Sequence, residues 1–200
     1  MGKKAELTKA YILEVSISEF ARRGFDGVRM DILSRKANIN KERIYAYYKS
    51  KKKLYAAVVE SNYRHLIEAE LPLMALTVSD AHMLAERMIR LYFRFHRTHP
   101  EFSRILAWEN LTGGKYSLNY GKQRKKIFDH LRGIYQDGIQ RGIFKSGVSF
   151  ETFFFTITAT VFFYFMNLAT MSRTLSMDLS KDEVSDTMVS EILLLIRGSA

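Results

Sequence analysis

The sequence predicts an all-α protein in two parts: an N-terminal three-helix module of helix-turn-helix type over residues 1–50, and a helical body over residues 51–200, about nine helices in all. Three observations lead there. Apolar residues recur at helical spacing along nearly every segment, and no alternating strand pattern bounded by hairpin turns is found. With 2 prolines, 11 glycines and no low-complexity tract or internal repeat in 200 residues, there is little room for a disordered tail. Charge is unevenly placed: residues 1–53 hold +8 of the net +10, and the rest of the chain holds +2. A basic module joined to a nearly neutral body suits a protein that meets a polyanion at one end; a merely solvated basic surface is the alternative.

Each element follows from local signals. Ile12, Leu13, Val15, Ile17 and Phe20 give a first helix from about Glu6, ended by Arg22-Arg23-Gly24 with Gly24 at C′. Two short helices, Met30–Lys36 and Lys41–Tyr47, flank Ala-Asn-Ile-Asn, where Asn38 tolerates a left-handed turn and Asn40 can cap the second. A long helix starts after Ser50 and runs through Leu54, Val58 and Leu66 toward Pro72. Ser79-Asp80 caps the next, carrying Leu84, Met88, Leu91, Tyr92 and Phe95, and Pro100 opens another through Trp108 at its first helical position. Beyond Gly113-Gly114, Ile127, Leu131 and Ile134 mark a helix in which Gly133 and Gly138 allow close approach. Ser149 opens a strongly aromatic helix extending to Met171. Ser180-Lys-Asp-Glu183 reads as a capping box for the last, with Leu179 and Val184 as its staple.

Composition excludes several classes. Without cysteine there is no disulfide framework, thiolate metal site or cysteine nucleophile, and the first twenty residues lack the apolar core of a secretory signal, which points to the cytoplasm. No G-x-S-x-G elbow, phosphate loop or H-E-x-x-H pair occurs, so catalysis, a cofactor and a metal are not expected; His96-x-x-His99 has only Glu101 near it. Thr152–Ser172 is uncharged and long enough to span a bilayer, but its threonines, Asn167 and weakly basic flanks favour a helix buried in protein over a membrane partner.

Two short helices joined by a tight turn among cations form the geometry whose second helix enters the DNA major groove. The residues Phe25, Met30, Leu33, Ala37, Ile39, Ile44 and Tyr48, followed by Tyr45, Ser50, Lys51 and Leu54, resemble the DNA-binding domain of TetR/AcrR-type transcriptional regulators. His99–Gly114, HPEFSRILAWENLTGG, is similar to the ligand domain of one branch of that family. The resemblance implies a homodimer on a palindromic operator of double-stranded DNA, released by a small-molecule effector. Val28 and Arg29 stand where the family has a hydroxyl pair, so the cap is lost while Arg29 can keep a phosphate contact; Asn38 replaces a usual Gly and Asn40 a usual Ser or Thr.

The candidate DNA contacts are Arg29, Asn40, Lys41, Glu42, Arg43, Tyr45, Tyr47, Lys51, Lys52 and Lys53. Arg43 can read guanine bidentately, whereas Glu42 can accept from cytosine N4 or pair with a neighbouring cation. By resemblance, Tyr45 and Tyr47 serve backbone contacts. Lys51-Lys52-Lys53 sit in a first helical turn, where each cation opposes the macrodipole by roughly 0.3 to 1 kcal/mol. A phosphate at that helix end would remove the conflict, and lysines swung into solvent would soften it.

In the body, Tyr92, Phe95, His96, Trp108, Glu109, Asn110, Phe128, Tyr135, Phe163 and Asn167 are candidates for a pocket taking an apolar or aromatic effector, although the same residues would also build a core. Glu109 would meet either a cationic ligand or an internal partner such as Arg104 or His96. Phe155, Phe162, Met166, Ile192, Leu193, Leu195 and Ile196 are candidates for the dimer seam, which the resemblance places on the last two helices. A different class, a scaffold resting its basic end on anionic lipid, would need no palindromic DNA.

Overall fold

The computed structural model describes residues 2–117 and 120–196, and among these there is no strand. In chain order the helices are α1 (Lys3–Gly27), α2 (Met30–Ala37), α3 (Lys41–Tyr48), α4 (Lys51–Glu70), α5 (Ala81–Thr98), α6 (Pro100–Leu111), α7 (Tyr120–Gln140), α8 (Phe150–Met166), α9 (Leu168–Thr174) and α10 (Asp182–Ile196), with 3₁₀ turns at Leu71–Ala75 and Val78–Asp80. The chain divides into two compact units. Met1–His65 with Glu101–Tyr120 form the first, and Leu66–Pro100 with Gly121–Ala200 form the second.

In the first unit, Ile12, Phe20, Leu33, Ile44, Leu54 and Val58 make a core fully closed to solvent, to which α6 adds Ile105. Gly24 does take a left-handed φ of 67° at the predicted stop, yet helical structure resumes to Gly27. The Trp108 indole explains why only glycine fits: an added Cβ would stand 2.7 Å from its ring, and the indole N–H donates to the Ala21 carbonyl at 3.3 Å. Between α2 and α3, Asn38 adopts φ 49°, ψ 42°, and the Asn40 side chain accepts the Arg43 N–H at 3.0 Å. Val28 is buried, and Arg29 precedes α2 without a side-chain cap.

In the second unit, α5 packs against α8 and α10. The Tyr135 ring of α7 stacks on Phe144 and lies 4.6 Å from Phe153 of α8. Close approach occurs at Gly138, where a Cβ would meet the Phe144 ring at 2.6 Å; at Gly133 it would meet open space, contrary to expectation. Two caps also differ. The box preceding α5 forms between Thr77 and Asp80, whose carboxylate takes the Thr77 N–H and hydroxyl at 2.8 Å each, so Ser79 is not the cap. Before α10 the Ser180 hydroxyl turns to the Asp178 carboxylate at 2.6 Å and the helix opens at Asp182, so the box with Glu183 does not form.

The uncharged run expected as one helix is broken. Ser149 caps α8 as predicted, but α8 ends at Asn167, whose side-chain amide donates to the Phe163 carbonyl, and α9 departs at 86°. No single helix among the described residues is long and apolar enough to cross a membrane.

Candidate functional site

The recognition helix α3 is held by its inward residues. Ile44 is closed to solvent, and the buried Tyr48 donates its hydroxyl to the Lys9 carbonyl of α1 at 2.8 Å; burial pushes that phenol up to about 12. The opposite face presents Glu42, Arg43 and Ala46 to solvent, with Lys41, Tyr45 and Tyr47 half-buried at its sides. Lys41 reaches back to Asp31 in the first turn of α2 at 2.8 Å. That hydrogen bond, with the attendant charge attraction, lowers the Asp31 carboxyl below its ordinary range and raises the lysine. Arg43 and Glu42, in the first turn of α3, make no ion pair among the described residues, which leaves this cation and anion available.

The lysines opening α4 are not equivalent. The Lys51 ammonium sits 4.6 Å from the centre of the Phe25 ring, so an aromatic face offsets part of its conflict with the helix dipole. Lys52 and Lys53 are exposed, and the Ser50 hydroxyl accepts the Lys53 N–H at 3.2 Å. Sequence reasoning missed Lys49, an exposed cation held between α3 and α4 at φ 64°. Its signal, a single residue separating Tyr48 from Ser50, was too small to read.

Glu19 was missed as well. Its buried carboxylate gathers Arg22, Arg23 and Lys36, tying α1 to α2. Burial alone would raise its pKa, but the hydrogen bonds from Lys36 and Arg22 prevail and lower it. These three cations therefore have internal work, and part of the basic excess supports the fold rather than the DNA face.

The predicted pocket residues are divided between the two units. Trp108, Glu109 and Asn110 belong to the first unit, where Trp108 fills the space at Gly24 and Asn110 is exposed. The buried Glu109 accepts the Tyr116 N–H at 2.9 Å and lies by the Tyr55 hydroxyl, its other oxygen has no hydrogen-bond partner among the described residues, and it makes no ion pair with Arg104 there. Burial, then this carboxylate, push the Tyr55 phenol well up. In the second unit, Phe163 is exposed, Asn167 ends α8, and Tyr135 donates to the Val148 carbonyl at 3.0 Å. Phe95 and His96 are buried, and desolvation with the nearby His99 pushes the His96 imidazole down to about 4.

Tyr92 and Phe128 both touch Phe154 and flank a pair the sequence did not reveal. The fully buried Glu70 carboxylate accepts the Tyr92 hydroxyl at 2.7 Å and the Arg124 Nε–H at 2.9 Å, with a second Arg124 nitrogen completing the fork. The guanidinium lies over Phe128 and Phe154 at 5.1 and 5.6 Å.

The seam candidates also separate. Phe155 is 70% exposed and Leu195 82%, Met166 is exposed, and Phe162, Ile192 and Ile196 are half-buried. Leu193 is a correction: it is buried in its own unit, because it faces the same way as Val189 one turn earlier.

Two short helices joined through a left-handed asparagine, the second offering Glu42 and Arg43 to solvent from a buried Ile44–Tyr48 base, define a helix-turn-helix DNA-binding protein. Comparison with known proteins narrows the class. Residues 12–58 match the profile of bacterial regulatory proteins of the tetR family, and residues 84–196 match that of the tetracyclin repressor-like C-terminal domain. The chain is 30% identical to the HTH-type transcriptional repressor NicS of Pseudomonas putida, over 96% of this chain and 93% of that one. It is 32% identical to the HTH-type transcriptional repressor SCO4008 of Streptomyces coelicolor, over 79% and 78%. Among solved structures, a TetR family transcription regulator from Marinobacter aquaeolei superposes with a TM-score of 0.74 at 16% identity, covering 100% of both chains. SCO4942 of Streptomyces coelicolor gives 0.73 at 24%, covering 94% of this chain and 98% of that one. The chain belongs to the TetR family of DNA-binding transcriptional regulators.

Proposed function

We propose that the protein is a homodimeric, ligand-responsive repressor of a palindromic operator, in which the module over residues 1–50 and the lysines that open α4 meet DNA, and the body over 51–200 serves dimerisation and effector binding. The observation that carries the DNA part is the solvent face of α3, where Arg43 is free of ion pairs among the described residues while Lys41 is tied to Asp31. Arg43 reads base edges and Glu42 assists it; Arg29, Asn40, Tyr45, Tyr47, Lys51, Lys52 and Lys53 serve the phosphate backbone. NicS and SCO4008 are repressors by name, which supports the sign of regulation.

The dimer reading rests on the outward side chains Phe155, Leu194 and Leu195 of α8 and α10, an apolar surface that a two-fold copy would cover. An effector with substantial apolar surface then acts by population shift: DNA favours one separation of the two recognition helices, the effector another, and the coupling is reciprocal. Glu109 takes the Tyr116 N–H on one carboxylate oxygen inside the first unit, and its other oxygen is buried without a hydrogen-bond partner among the described residues.

Selection of bound fragments from random DNA, repeated with candidate ligands, tests the proposal. A two-fold-symmetric consensus is expected. Arg43→Ala should weaken binding and relax sequence preference, whereas Lys52→Ala should weaken specific and random DNA alike and reduce the salt slope by about one unit. Equal loss of selectivity from both substitutions would sink the assignment of roles.

A further inference from the structure

Along α5, Met83, Arg87, Leu91 and Arg94 succeed one another at four- and three-residue steps with Arg90 beside them, and they line a groove of about 480 Å³. The other wall is the 3₁₀ segment Leu71–Ala75, which contributes Pro72 and Leu73. The lining divides by chemistry. One side is hydrocarbon, and the other is a row of guanidiniums in which Arg87 and Arg94 stand about 10 Å apart along the helix axis.

The row is short of counter-charge. Arg90 pairs with Glu86 at 2.9 Å, but Arg87 and Arg94 make no ion pair among the described residues. The acid in the lining, Asp80, is hydrogen-bonded to the Thr77 N–H and hydroxyl, and those bonds, with weaker attraction from His82 and Arg87, hold its carboxyl below the usual range, so it offsets the Arg87 charge only in part and without an ion pair. Like charges at this spacing repel one another, and a bound anion would relieve the repulsion. The volume lies within the ~300–1,000 Å³ of small-molecule sites. A nucleic-acid backbone would match the arginines and leave the Pro72–Leu73 wall uncovered; an apolar chain bearing one carboxylate matches both.

We propose that this groove binds an amphipathic organic monocarboxylate, its head between Arg87 and Arg94 and its chain along Pro72, Leu73 and Leu76, and that this anion is the effector. The proposal rests on the ligand-responsive reading above and gives that ligand its charge.

Dodecanoate below its micellar concentration is a suitable probe, titrated calorimetrically into the full chain. Binding is expected, with the dissociation constant raised at least tenfold in the double variant Arg87→Gln/Arg94→Gln. Dodecyltrimethylammonium should bind at least tenfold more weakly than dodecanoate, and acetate should give no heat. Absence of dodecanoate binding, equal binding by wild type and a folded double variant, or equal affinity for the cationic amphiphile would overturn the site. Fluorescence anisotropy on selected DNA supplies the second readout: dodecanoate should lower the DNA affinity of the wild type and leave the variant unaffected. Occupancy of the groove with unchanged DNA affinity would overturn the effector assignment. Failure to select any DNA in the absence of ligand would count against the regulator reading alone, since the calorimetric comparison decides the groove by itself.

Discussion

His96 illustrates how a buried titratable side chain ties stability to pH. Its imidazole titrates near 4 in the folded chain because burial disfavours the cation, while an unfolded chain protonates it near the ordinary 6.5. The unfolded state therefore binds more protons in that window, and stability falls as pH drops from 6.5 toward 4, by a limit of roughly 3 kcal/mol from this group. Urea unfolding at pH 7.5 and 5.0 should show the loss, and His96→Gln should flatten the difference; an unchanged difference would show that other groups carry it. Arg124 presents the converse case. Removing it by Arg124→Ala leaves the Glu70 carboxylate buried without its cation, and a loss of about 3–5 kcal/mol is expected in the same assay. Neither Glu70 nor Arg124 was legible beforehand, because 54 residues separate them and nothing local to either marks its partner.

Helices were legible where their signals are local. Asn38, Asn40 and Ser149 do what their types and positions imply, since a cap is decided within four residues. Neighbouring polar residues compete for the same job, and there sequence is ambiguous: Thr77 displaced Ser79, and Asp178 drew Ser180 away from Glu183. The break at Asn167 was missed because no glycine or proline announces it; one side-chain amide bonded to the Phe163 carbonyl marks the end of α8. The two glycines of α7 now separate by environment. Gly133→Ala, with open space around the new methyl, should stabilise by ~0.5–1 kcal/mol through helix propensity, whereas Gly138→Ala forces the methyl against Phe144 and should destabilise by ~1–3 kcal/mol. Thermal melts of the two variants should move in opposite directions, and a common direction would mean that packing at Phe144 does not govern.

The division of basic and neutral parts, the all-helical class and the DNA-binding motif were readable because each depends on pattern summed over many residues. A small-molecule pocket was not readable in the same way, since aromatic residues that could line one are also what fills a core, and Tyr135 and Phe95 went to the core. Assembly is the property that tests the remaining apolar surplus. If α8 and α10 cover each other's exposed residues in a two-fold pair, the melting temperature should rise with protein concentration, and Phe155→Glu/Leu195→Glu should sediment as a soluble monomer. A wild type that sediments as a monomer at micromolar concentration refutes the pairing.

The chain contains one tryptophan, and it lies against Gly24 inside the first unit with its indole N–H on the Ala21 carbonyl. The protein thus carries its own optical label on the DNA-binding side. Emission excited at the red edge of the indole band reports the surroundings of Gly24, while far-ultraviolet dichroism sums every helix in both units. Recorded together during denaturation, the two signals distinguish loss of the Trp108 contact from melting of the body, with no dye attached.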